Sequence, residues 1–86
     1  MKAFRINNLI IAADFIEEAR EFFIAEAGES LLTDIVEIAV STELLKDGLK
    51  KTIKDLINEE LDRRNEWLRM GVPCDLYWPF IIHRFD

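Results

Sequence analysis

Thr52 to Gly71 reads TIKDLINEELDRRNEWLRMG, and its apolar spacing predicts one long amphipathic helix. Ile53, Leu56, Ile57, Leu61, Trp67 and Leu68 share one face of it. Thr52 has the chemistry of an N-cap, and Asp55, three residues on, suits the positive end of the helix. Gly71 and then Pro73 stop it. Glu60 and Arg64 project into the same apolar face, where charged groups are unusual. A helix of this kind needs a layer to cover, so the flanking sequence is read for a sheet.

Upstream, Ala3 to Ala13 (AFRINNLIIAA) reads as a strand. Phe4, Ile6, Ile10 and Ala12 are assigned to one face, Leu9 and Ile11 to the other, so its second half is apolar on both sides. Asn7 and Asn8 are poor strand formers and mark a bulge or a bend. Asp14 with Glu17 is a variant capping box opening a helix that ends at Gly28. Ile16, Ala19, Phe23 and Ala27 form its main stripe, and Phe15 and Phe22 form a second beside it. Ile35 to Thr42 alternates and reads as a half-exposed strand with Val36, Ile38 and Val40 inward, although Leu31 to Ala39 also admits a helix. Asp47-Gly48 is a turn signal, with Leu44 to Leu49 either a loop or a short hairpin. Phe80 to Arg84 is a last strand, of undetermined direction, with Pro79 at its start. The expected order is β-α-β-α-β. The fold class is α/β (or α+β), a single domain over residues 1–86 with a three-stranded sheet and two helices on one face.

Composition narrows the function classes. Half of the 86 residues are hydrophobic and a third are charged, with a net charge of −6, which is globular rather than disordered. Residues 14–47 hold ten acids against Arg20 and Lys46. That half repels phosphate and argues against nucleic acid as a partner. The Lys50, Lys51 and Lys54 cluster reads as a solvated helix start. One cysteine, Cys74, allows no intrachain disulfide and suits a reducing, cytoplasmic setting. The apolar run Leu9 to Ala13 is too short for a secretory signal, and nothing approaches the about 20 apolar residues of a membrane span. No membrane partner is expected.

Four groups of residues could carry chemistry. Glu60 and Arg64 stand four apart with the acid first, the favourable order for a helix pair, and Arg also suits a carboxylate across an interface. Cys74 and His83 could form a nucleophile and base, but no third residue orients them; with Asp75 they supply only three metal ligands at no known spacing. Trp67, Tyr77, Trp78, Phe80 and Phe85 concentrate aromatic surface at the C-terminal end, as core or interface anchors. Glu17, Glu18 and Glu21 belong to the acidic segment and could face a basic partner. No glycine-rich phosphate loop, nucleophile elbow or metal motif is present in the sequence.

The expected function is a small non-enzymatic interaction or regulatory module, a homodimer, with no catalytic residue, metal or cofactor and with a further protein partner possible. Phe15, Phe22, Glu60, Arg64, Tyr77, Trp78 and Phe80 are its interface candidates. One alternative is a small enzyme or ligand-binding domain using a cleft near Glu60, Arg64 and His83. Another is an acidic inhibitor of a basic protein surface.

Overall fold

The computed structural model describes residues 1–85. Its centre is a hairpin, β1 (Lys2–Ile6) and β2 (Leu9–Ala13). Asn7 takes φ 53 at the two-residue turn, a conformation asparagine tolerates better than most residues. Its backbone N–H donates to Thr33 Oγ1 at 2.8 Å and its side-chain amide to the Leu31 carbonyl at 3.0 Å. The stretch expected as one strand is thus two. The turn brings Ile6 opposite Leu9, so Phe4, Ile6, Leu9, Ile11 and Ala13 pack on one side, while Ala3, Ile10 and Ala12 pack on the other. This corrects the face assignment made for an uninterrupted strand, because a tight turn keeps opposed residues on the same face.

The chain continues through α1 (Ile16–Ala27), β3 (Val36–Ile38), the hairpin β4 (Glu43–Lys46) and β5 (Leu49–Thr52), α2 (Ile53–Arg69) and β6 (Phe80–Arg84). The main sheet has the order β3-β1-β2-β6, with every neighbouring pair antiparallel. The mixed α+β class is as expected; the sheet has four strands instead of three. The last strand, whose direction the sequence left open, is antiparallel to β2.

The helices lie on opposite faces of this sheet, not on one. Ala19 and Phe23 of α1 join the core built on Phe4 and Ile11. Ile53, Leu56 and Ile57 of α2 join the core built on Ala3, Ile10 and Ala12. The cause is β2, whose five residues are all buried. A strand apolar on both faces requires a cover on each.

Two other elements depart from expectation. α1 starts at Ile16 with Phe15 at the cap and no side-chain cap bond, and Asp14 instead lies 3.8 Å from the Met1 amino group. β3 is only three residues long. Ile38 and Val40 do pack against the α2-side core, whereas Val36 is 57 % exposed. Beyond β3 the chain turns to meet α2, whose first two amides, Ile53 N–H and Lys54 N–H, donate to Thr42 O and Val40 O. Residues 44–49 form the tip of the hairpin, with Asp47 at φ 53 and Gly48 at φ 79. α2 begins with a full capping box: Asp55 N–H donates to Thr52 Oγ1 and Thr52 N–H to the Asp55 carboxylate.

Candidate functional site

α2 outruns its core. Ile53, Leu56 and Ile57 are buried, but Trp67 and Leu68, which share that face in the sequence, are exposed. Between them lies Arg64, the one buried charged residue among the described residues, 7 % exposed. Its Nε donates to Glu60 Oε2 at 3.0 Å. Its Nη1 reaches the carbonyls of Asp75, Leu76 and Trp78 at 3.2, 3.1 and 2.7 Å. The guanidinium also stands over the Phe80 ring, 4.9 Å from its centroid. Glu60 is held in turn by Arg63, and the Cys74 thiol donates to the Arg64 carbonyl.

The physical reason is the segment between α2 and β6. It has no strand or helix to satisfy its carbonyls, and buried carbonyls need donors. A guanidinium offers five donors in a planar fork, so one Arg on a rigid helix can gather several. Reading the two residues only as a helix pair or as an interface contact misses this. The available signal was a loop bounded by Gly71 and Pro79 opposite an Arg set among apolar residues.

Once clamped, the loop turns some of its side chains outward and keeps Cys74, Leu76 and Pro79 at least partly covered. Tyr77 and Trp78 are each 59 % exposed. Trp67, Leu68, Met70 and Val72 are exposed nearby, so six of the twelve large exposed hydrophobics among the described residues fall within residues 67–78. Gly71 N–H and Val72 N–H fold back on the carbonyls of Leu68 and Trp67, which keeps this part of the chain against the end of α2.

A cleft of about 290 Å³ lies where the same loop meets α1. Glu18, Glu21 and Glu26 line it from α1 with Phe22 among them, and Trp78 and Pro79 form the facing wall. These α1 positions share one helix face through their spacing. Glu18 Oε1 is shut off from solvent without a hydrogen-bond partner.

The other candidates do not converge. Glu60 and Arg64 bind each other, but His83 stands opposite Ile10 in the sheet and packs edge-on against Phe85 at 4.6 Å. A smaller pocket of about 120 Å³ beside β6 includes Glu60 and Phe80 but neither Arg64 nor His83. Phe15 is 65 % exposed at the cap of α1, and Phe22 is half-buried against the α1-side core. Among the described residues no group of His, Cys, Asp and Glu could hold a metal ion, and no helix is long and apolar enough to cross a membrane. No protein-family model, curated protein or solved structure matches the chain.

Proposed function

We propose that the chain is a non-enzymatic interaction module that associates as a two-fold homodimer through the end of α2 and the clamped loop. The observation that supports this best is the gathering of Trp67, Leu68, Met70, Val72 and Tyr77 as exposed side chains on one part of the molecule. Apolar surface of this kind, rich in Trp and Tyr, is what interfaces bury. Arg64 adds preorganisation: the loop is tied to α2 before any partner arrives, so little order remains to be imposed on binding. A two-fold axis sets this patch against its own copy. Arg69 and Glu66 beside it pair with each other within the subunit, so the approach meets no uncompensated like charge there.

The free edge of β6 is a poorer contact. Pro79 precedes it, Arg84 ends it, and the register shift opposite Ile10 and Ile11 breaks its regularity. These are the devices by which edge strands resist pairing with another chain.

Sedimentation equilibrium at micromolar concentration tests the reading. The dimer should have twice the 10.1 kDa chain mass. The Met70→Ser/Tyr77→Ser variant removes only exposed groups, so it should fold normally and sediment as a monomer. A wild-type chain that stays monomeric, or a variant that dimerises as well as wild type, would overturn the proposal.

A further inference from the structure

The chain has two methionines, Met1 and Met70, and the fold treats them oppositely. Met1 packs against the α2-side core. Met70 caps the C-terminal end of α2 and is 68 % exposed, the highest value among the large exposed hydrophobics of the described residues. Its backbone N–H donates to the carbonyls of Glu66 and Trp67, both at 3.1 Å, so the backbone is fixed while the thioether stands outside. Its side chain belongs to neither core. A change at its sulfur therefore leaves the packing of the subunit alone. Cys74, the other sulfur of this region, is half-buried and donates to the Arg64 carbonyl.

An open thioether is oxidised by hydrogen peroxide to the sulfoxide. The sulfur lone pair attacks one peroxide oxygen, the S–O bond forms and the O–O bond breaks. The proton on the transferred oxygen passes to the departing hydroxide, which leaves as water. Sulfur loses two electrons and the peroxide is reduced by them. The product is a polar acceptor where an apolar group stood. Met70 lies between Leu68 and Val72 in the surface that the proposed dimer buries, and burying an acceptor without a donor is unfavourable. Arg69 beside it already donates to Glu66. A two-fold axis brings Met70 of both subunits to the contact, so the effect counts twice. We infer that Met70 is a peroxide-sensitive release for this contact. Oxidation takes place in the free subunit, where the thioether is open, and the sulfoxide then opposes re-association by mass action. The inference rests on the reading of the chain as a dimer through the end of α2.

The test treats the full chain with hydrogen peroxide in a Cys74→Ser background, which leaves Met70 as the open sulfur. Peptide mass mapping should place the added oxygen on Met70 before Met1. Sedimentation equilibrium should then show the dimer weakened about tenfold, with circular dichroism unchanged, and methionine sulfoxide reductase should restore it. Met70→Leu keeps an apolar side chain of similar size, so it should dimerise normally and stay dimeric after peroxide. Four outcomes would overturn the inference: oxidation of Met1 first, an oxidised dimer as tight as the untreated one, loss of the fold on oxidation, or equal dissociation of the treated Met70→Leu variant. An untreated chain that is monomeric overturns the dimer and this inference together. A dimer indifferent to oxidation overturns this inference alone.

Discussion

At the scale of single residues, Arg64 has the largest structural consequence. Arg64→Met keeps the apolar stem but leaves three carbonyls without their donor. Stability should fall by about 3 kcal/mol, the range for breaking a buried charged network. Arg64→Lys should recover only part of that, because an ammonium on a single stem cannot reproduce the planar fork. Urea unfolding measures both, and hydrogen exchange should show the backbone of residues 75–78 opening first. In the α1-side core, Phe23 is fully buried and Phe22 only partly so. Phe23→Ala should therefore cost about 3–5 kcal/mol and Phe22→Ala clearly less. Equal losses would contradict the packing described. Of these roles, the burial of Phe23 was legible from helical spacing. That of Arg64 was not, because its partners are backbone carbonyls more than ten residues away, and periodicity carries no information about them.

At the scale of elements, the start of α2 ties three parts together. Thr52→Ala removes the acceptor for Asp55 N–H and should cost about 1 kcal/mol in a urea unfolding curve. Lys51 of β5 pairs with Glu59 of α2, and that hydrogen bond, ahead of the other contributions, raises the lysine pKa above its ordinary 10.5. A folded-state pKa above the unfolded one means that this contribution is fully present below about pH 10 and is lost as pH rises through the folded value. Melting temperatures should show no loss from this pair between pH 7 and 9, and Lys51→Met should remove part of the decline at higher pH. The helices were legible because caps and stops are local: Thr52, Asp55, Gly28 and Gly71 stand at or beside their ends. The β1–β2 hairpin was hidden because Asn7-Asn8 interrupts an apolar run without a glycine. Even so, a β2 apolar on both faces already implied covers on both, and with them the opposite placement of α1 and α2.

At the scale of the whole molecule, an 86-residue chain has two small cores, one under each helix. Neither reaches the end of α2, so the aromatic cluster there remains outside. The class of the fold followed from the order of helices and strands. The exposed apolar surface proposed as the contact did not, because Trp67 and Leu68 carry the same spacing as the buried Ile53 and Leu56 but lie past the core under α2. A dimer of the proposed kind should bury more than about 1,000 Å² in total. The most direct test is isotope-filtered NMR on an equal mixture of labelled and unlabelled protein. The account predicts intermolecular contacts at Trp67, Met70 and Tyr77, related by a two-fold axis. Intermolecular contacts confined to Phe15 or to the β6 edge, or none at all at millimolar concentration, would contradict it.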